Sequence, residues 1–460
     1  MSRKRPPPTP DFVLRSHTTD ATALCFCQGI SRLPITSLKE TTNDNDDDNN
    51  DNKDDDDDAE ADAKADDLSR IKGCNTRDSS ELVSTLVSGA SNGTLKFWDL
   101  ESRRVVLNLD EHAGKGVLNI EWTGTHLVTQ GRDGFIKTWE LCGYLDLQKG
   151  LILSARCTGA VEIGSYTFTR VALVHERPSL LVAPARNDAF FEMWNLNSGH
   201  ALVGHCVGRT AEVGGKTGMV MSLKLVWCEL EMMDAVTGAL HRREVVSAVV
   251  GVESGEVGLF VDVLSACLPE GERILIHEDE VENKDESGKV VEGEQGEHSE
   301  SENEVHQGYE RSVAAAMLGL TGDNATWTCL HTEPVLCLDV RADPNDRSQW
   351  FGISGSADTD IGVFYVDAAT GCFVSSTKIA IKERGIADLK IRSDGKIFVT
   401  AGWDGLIRVF GVKKLRPLAI LNYHHDVSLH AITFGDVERG CLCSAGKDGK
   451  IAWWSIYPNK

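Results

Sequence analysis

The chain has 460 residues, 41% of them hydrophobic, enough to bury a large core in one repeat domain or several ordinary ones. Its formal net charge is −23, yet residues 43–67 hold 14 acidic residues against two lysines, and residues 278–304 hold 12 against two. The remainder is close to neutral and carries no basic stripe, which argues against direct nucleic-acid binding. No apolar run approaches the ~18 residues of a membrane helix, so no membrane partner is expected.

The N-terminal MSRKRPPPTP lacks the apolar stretch of a signal peptide. Arg3, Lys4 and Arg5 fit either a nuclear import signal or a solvated tail, and residues 1–11 read as a disordered basic, proline-rich segment. Phe12-Val13-Leu14-Arg15 is a short apolar strand, and a second strand follows near Ala23–Cys27. The first acidic insert, residues 40–80, then separates that strand from one near Leu82–Ser88. The insert has little apolar surface to bury and is expected to be disordered.

From there one unit recurs seven times: SGASNGTLKFWDL, TQGRDGFIKTWEL, APARNDAFFEMWNL, GVESGEVGLFVDV, SGSADTDIGVFYV, TAGWDGLIRVFGV and SAGKDGKIAWWSI. Each has small residues, an Asp/Asn-Gly-type turn and an alternating strand. A large aromatic ends each unit: Trp98, Trp139, Trp194, Phe260, Phe364, Phe410 and Trp454. Asn-Gly and Asp-Gly suit the positive-φ positions of a two-residue hairpin turn. Small residues before the turn, such as Val87-Ser88-Gly89, let neighbouring units approach closely, and the aromatic packs between them. A further apolar strand lies upstream of each turn, as in Val117–Ile120, Val335–Leu338 and Ile386–Leu389. A histidine often precedes it: His17, His112, His331 and His425. His112 is placed to bond Asp133 and Thr129. The constellation repeats from unit to unit, so it is structural and not a catalytic triad.

The pattern resembles the WD-repeat family, whose units begin Gly-His and end Trp-Asp. Only Trp98-Asp99 ends in that pair, and clear Gly-His starts are missing apart from Gly204-His205, in uncertain register. The resemblance implies an all-β, seven-bladed WD-repeat β-propeller over residues 12–460, interrupted by acidic inserts 40–80 and 270–312. Residues 150–265 hold the most degenerate units. The last unit stops after its third strand, so Phe12–Arg15 is expected to supply the missing fourth and close the ring by both termini. Trp98, Asp99, His112, Asp133, Trp139, Trp194, Asp404, Asp448 and Trp454 are the structural repeat residues.

Several motifs are decoys. TAEVGGKTG at 210–218 mimics a phosphate-binding loop, but Thr210 stands where its first glycine belongs. The sequons at Asn92 and Asn324 read as chance. The second acidic insert is placed at the join between blades four and five, and its Ser299 and Ser301 suit acid-directed kinases. Thirteen cysteines include the pairs Cys25/Cys27 and Cys441/Cys443, which share a strand face and read as small buried thiols. No metal site, cofactor or catalytic residue is read from the sequence.

Four stretches carry a narrower resemblance: PDFVLRSHTTDATALCFCQG, LVTQGRDGFIKTWEL, GIADLKIRSDGKIFVTAGWDGLIRVF and SAGKDGKIAWWSIYP. Together they resemble the ASTRA-associated protein 1 family, WD-repeat proteins related to the animal G-protein-β-subunit-like protein. The resemblance implies a non-catalytic scaffold of the ASTRA complex in the nucleus, with the cytoplasm as a second compartment. It also implies partners: other ASTRA subunits, linked to chromatin remodelling, and the co-chaperone that matures phosphatidylinositol-3-kinase-related kinases. No small-molecule substrate is implied. Arg132, Trp403, Arg408 and Lys447, at or beside turns, are the candidate partner contacts. A G-protein-β-like signalling adaptor is the alternative, weakened because MSRKRPPPTPDF cannot form a long N-terminal helix. An enzyme of propeller fold would need polar groups converging at the channel mouth, and none is legible.

Overall fold

The computed structural model describes residues 9–30, 83–146, 150–163, 168–174, 177–207, 217–233, 240–261, 263, 325–342, 349–367 and 370–458. The basic cluster Arg3–Arg5, both acidic inserts with Ser299 and Ser301, residues 210–216 and Asn324 lie outside these residues.

Period-2 alternation between frequent turns yields strands throughout. β1 (Phe12–Arg15) comes first and joins the last blade. Blade 1 is β2 (Ala21–Ile30), β3 (Val83–Ala90), β4 (Thr94–Asp99) and β5 (Arg104–Asp110). Blade 2 is β6 (Val117–Trp122), β7 (His126–Gly131), β8 (Phe135–Asp146) and β9 (Gly150–Glu162). Blade 3 is β10 (Ala172–Val174), β11 (Arg177–Pro184), β12 (Phe190–Asn195) and β13 (His200–Cys206). Blade 4 is β14 (Val220–Met233), β15 (Leu240–Val252), β16 (Glu256–Phe260) and β17 (Thr326–Cys329). Blade 5 is β18 (Val335–Ala342), β19 (Gln349–Ser356), β20 (Asp360–Asp367) and β21 (Cys372–Ala380). Blade 6 is β22 (Ile386–Ile391), β23 (Ile397–Gly402), β24 (Ile407–Gly411) and β25 (Arg416–Leu421). Blade 7 is β26 (Leu429–Phe434), β27 (Cys441–Gly446), β28 (Lys450–Ser455) and β1. The fold is a seven-bladed β-propeller of four-stranded antiparallel sheets, as expected, including the two doubtful blades.

The meander fixes two faces. Turns between second and third strands share one end of every blade with the connectors between blades, here named the turn face. Loops between first and second, and between third and fourth strands, share the opposite face. The first acidic stretch separates β2 from β3, as expected. The second does not sit between blades: β17 pairs with β16 in register Glu256↔Cys329, so the stretch interrupts blade 4 before its outer strand. Two hairpins also outrun their blades on the opposite face. β8–β9 pairs as far as Asp146↔Gly150, and β14–β15 as far as Met233↔Leu240.

Stacking buries what a lone blade would expose. Trp98, Trp139, Phe260, Phe364, Phe410 and Trp454 are buried, while Trp194 is half-buried against the Val128–Leu181 cluster. Small residues before the turn work at the closest approach. A Cβ on Gly89, Gly251 or Gly355 would lie 2.6–2.7 Å from Val117, Val335 or Ile386, the first residue of the next blade's inner strand. Gly355→Ala should therefore cost about 1–3 kcal/mol by overpacking. A thermal melt checks this, and an unchanged midpoint would mean the blades are not in contact there.

Polar side chains tie the same junctions. Thr22 Oγ1 donates to Val117 O (2.6 Å), Asn119 Nδ2 to Val171 O (2.9 Å), Thr169 Oγ1 to Val220 O (2.7 Å) and Ser222 Oγ to Val335 O (2.9 Å). Each satisfies a carbonyl at the start of an inner strand or, for Val171, directly before it. The ring closes as expected: Phe12↔Trp453 through Arg15↔Lys450 pair β1 with β28, and Phe12 stacks on Trp453 at 5.1 Å.

The cysteines divide. Cys27, Cys337, Cys441 and Cys443 are buried, whereas Cys157, Cys329 and Cys372 are exposed on outer strands. All those described are free thiols, so the reading of buried cysteines holds only for part of the set. Thr217, at the end of the phosphate-loop mimic, is buried and donates to Val207 O at 3.1 Å.

Candidate functional site

The turns that carry the repeat differ from the expected two-residue type. Gly93, Gly134, Gly255, Gly405 and Gly449 have positive φ, but the preceding Asn92, Asp133, Asp404 and Asp448 do not. In each case the glycine N–H bonds the carbonyl three residues back, as in Gly93 to Ala90 O (3.1 Å) and Gly134 to Gly131 O (3.3 Å). This is a type I turn followed by one left-handed residue. Asp or Asn is favoured because its carboxylate or amide oxygen accepts the N–H two residues on. Phe135 N to Asp133 Oδ1 is 3.2 Å, Leu406 N to Asp404 Oδ1 is 3.1 Å and Lys450 N to Asp448 Oδ1 is 3.2 Å.

The turn carboxylate has a second task. In blade 2, His112 Nδ1 lies 3.0 Å from Asp133 Oδ2, its Nε2 lies 3.0 Å from Thr129 Oγ1, and Trp139 Nε1 donates to the same hydroxyl at 3.0 Å. Blade 5 repeats this with His331, Asp358 and Ser354, though Phe364 offers no N–H. Blade 7 uses His424, Ser444, Asp448 and Trp454. The sequence pointed to His425, one residue late; His425 is exposed and His424 is the buried ring. In blade 1, His17 and Trp98 share Ser88 at 2.7 and 2.8 Å, with Asn92 in place of the carboxylate. Burial lowers the pKa of all four histidines, His17 to about 4, and the facing aspartates only partly offset this for His112, His331 and His424.

Blades 3, 4 and 6 lack the histidine. The backbone N–H of Ile163, Val207 and Ile381 bonds the preceding blade's turn as His331 does, so aliphatic residues occupy that position. Ala183 and Val250 then replace the strand hydroxyl in blades 3 and 4. Gly204-His205 is no repeat start: it lies in outer strand β13, with His205 stacked on Phe191 at 5.0 Å. Blade 6 keeps Thr400 and Asp404, and there Arg408 substitutes, with Nη2 2.5 Å from Asp404 Oδ2. Arg408 is 7% exposed. Its candidacy as an outward partner contact is therefore corrected. The guanidinium is spent inside the blade because no histidine neutralises Asp404.

The other three candidates are exposed and lie on one face. Trp403, Arg132 and Lys447 each precede a turn, and each donates its backbone N–H to the residue before the inner strand of its own blade: Gly385 O (3.0 Å), Gly116 O (2.8 Å) and Ser428 O (2.9 Å). Trp403 lies flat on Gly385, where an added Cβ would meet its ring at 2.1 Å, and still exposes 43% of its surface. Sequence reasoning missed two companions on the same face. Phe168, 70% exposed, lies in the connector before blade 3 under the Arg132 guanidinium, 4.8 Å from the ring centroid. Met219, in the connector before blade 4, is also exposed. Both lie in connectors ahead of inner strands, Met219 directly before β14 and Phe168 four residues before β10. Among the described residues no cluster of His, Cys, Asp or Glu is arranged to hold a metal ion.

Comparison with known proteins follows the same lines. Residues 379–411, spanning the connector into blade 6 and its first three strands, match the family described as WD domain, G-beta repeat. The mouse guanine nucleotide-binding protein subunit beta-like protein 1 is 27% identical over 377 residues, 81% of this chain and 88% of that protein. ASTRA-associated protein 1 of Penicillium rubens is 28% identical over 373 residues, 77% of this chain and 76% of that protein. ASTRA-associated protein 1 of Schizosaccharomyces pombe reaches 41% over 76 residues, 16% of this chain and 20% of that protein. The chain is thus a seven-bladed β-propeller with a WD-repeat match at residues 379–411, similar over most of its length to ASTRA-associated protein 1 and to the guanine nucleotide-binding protein subunit beta-like protein 1.

Proposed function

We propose that this chain is a non-catalytic scaffold subunit of the ASTRA complex that docks protein partners on its turn face. Its roles on this reading are in chromatin remodelling and in the assembly of phosphatidylinositol-3-kinase-related kinases with their co-chaperone. The observation that carries the reading is the grouping of Trp403, Phe168 and Met219 with Arg132 and Lys447 on one face of a rigid ring. Exposed aromatics and arginines of this kind are typical anchors of protein interfaces. The ASTRA complex comes from the relatives' names, and the co-chaperone and remodelling roles rest on the family resemblance alone. A nuclear site, with the cytoplasm as a second compartment, is part of the same proposal.

Affinity purification with quantitative mass spectrometry tests it. ASTRA subunits and the co-chaperone should be recovered with the wild-type chain. Trp403→Ala should leave the melt within a degree or two yet reduce that recovery roughly tenfold or more, as loss of an interface anchor does. Recovery of G-protein γ subunits instead, or unchanged recovery by a folded Trp403→Ala variant, contradicts the proposal.

A further inference from the structure

The inner strands enclose a central channel whose lining is charged. Four residues into the inner strand stand Glu121 in β6, Lys224 in β14, Asp339 in β18 and Lys390 in β22, two acids and two bases among the seven blades. Lys224 Nζ lies 3.2 Å from Asp339 Oδ1, and Asp339 also accepts the N–H of Ile391 at 2.8 Å. Burial disfavours the charged form of both groups. Their mutual attraction outweighs it, raising the lysine and lowering the aspartate, so both stay charged.

Arg170 closes one end. It comes from the connector between blades 2 and 3, lies 2.8 Å from Asp388 of blade 6, and donates to His430 O of blade 7 at 2.8 Å. Asp388 also accepts the N–H groups of Leu389 and Ile432. The pair spans the channel and floors it toward the turn face. What remains is a cavity of about 400 Å³, lined at its far end by Gln28, Trp122 and Ser393 on the opposite face.

The hydrogen-bonding capacity of this cavity is one-sided. Asp339 and Asp388 are committed to protein donors. Among the described residues Lys390 makes no hydrogen bond or ion pair, and the exposed Arg341 donates to Ser393 O at 3.3 Å. Lys224 uses one of its three protons on Asp339. Glu121 is the remaining lining carboxylate, and it accepts Asn119 Nδ2 at 3.3 Å. Lys390, Arg341 and Lys224 thus keep N–H donors beyond what the lining carboxylates take up, and the acceptor oxygens of an anion can use them.

We propose that the central channel is a blind binding cavity for a small, multiply charged oxyanion of the phosphate type, held by Lys224, Arg341 and Lys390. The size matches a small ligand, whose sites span roughly 300–1,000 Å³. A helix, about 10–12 Å across with its side chains, is too wide, and the Arg170–Asp388 floor stops an extended chain from threading through. The anion is a ligand and not a substrate. Bound there, it bridges blades 4, 5 and 6.

The test uses the full chain with inorganic tripolyphosphate as probe and citrate, at matched ionic strength, as the carboxylate control. Calorimetric titration should give one site, with a melting temperature raised by several degrees at saturation. Lys390→Gln combined with Arg341→Gln should weaken binding at least tenfold while the ligand-free melt shifts by only a degree or two, since among the described residues neither side chain is within salt-bridge distance of a carboxylate. Lys413→Gln, exposed outside the cavity, should bind as wild type does. Absence of heat and of a melting shift overturns the proposal. So does undiminished binding by the double variant, which would move the anion to the surface, and so does citrate binding as tight as tripolyphosphate, which would remove the phosphate class.

Discussion

Removing residues 1–16 should lower the melting temperature by roughly 2–5 °C, taking about 1 °C per kcal/mol for a chain of this size. β1 is the outer strand of blade 7, paired over four residues with β28. Leu14 is buried in a cluster with Ala431, Cys443 and Ile451, and Phe12 lies between Trp453 and the Arg103 guanidinium, the latter 4.3 Å from its ring. Burying a leucine contributes about 1.5–3 kcal/mol, and an aromatic pair adds about 0.5–1.5 kcal/mol. The truncation also leaves β28 as an open edge able to pair with other chains. A truncated protein should therefore aggregate earlier on heating as well as melt lower. Leu14→Ala separates the two effects: it keeps the strand, and it should lose only the packing part. A truncated chain that melts where the full one does would show that the ring is closed by something else.

Acidification should destabilise the ring steeply below neutral pH. His17, His112, His205, His331, His424 and His430 all have pKa values lowered by burial, His17 and His205 to about 4. In the unfolded chain they titrate near 6.5. Above that value both states are neutral and the histidines contribute no pH dependence. Between 6.5 and about 4 the unfolded chain binds more protons, so stability falls as pH falls. Each histidine wholly inside that window contributes a slope of about 1.4 kcal/mol per pH unit. Glu192, raised by burial, works in the opposite direction but is a single group. Calorimetric melts at pH 7.5 and 5.0 should differ by many degrees, with the steepest loss below 6.5. A flat profile would mean the rings are solvated and not locked between blades.

Much of this architecture was legible from the sequence for a physical reason. Each blade needs the same turn and the same inter-blade aromatic, so the pattern had to recur. The closing strand was legible because Phe12–Arg15 had no blade of its own. The errors have physical causes too. The second acidic stretch hid the short strand Thr326–Cys329, whose pairing with β16 is non-local and leaves no local signal. Tyr423-His424-His425 offers two adjacent histidines, and only packing decides which ring turns inward. Arg408 looked like a surface charge because nothing in its neighbourhood shows that Ile381 has displaced a histidine and left Asp404 without a partner. The channel charges become visible only after the seven inner strands are aligned, when Glu121, Lys224, Asp339 and Lys390 fall into one ring.

Hydrogen exchange on the chain, free and bound to its purified partner complex, tests the central claim most directly. Docking on the turn face predicts added protection in the turns around Arg132, Trp403 and Lys447 and in the connector through Phe168 and Arg170, with the two long hairpins β8–β9 and β14–β15 unchanged. Protection confined to those hairpins, on the opposite face, would contradict the account.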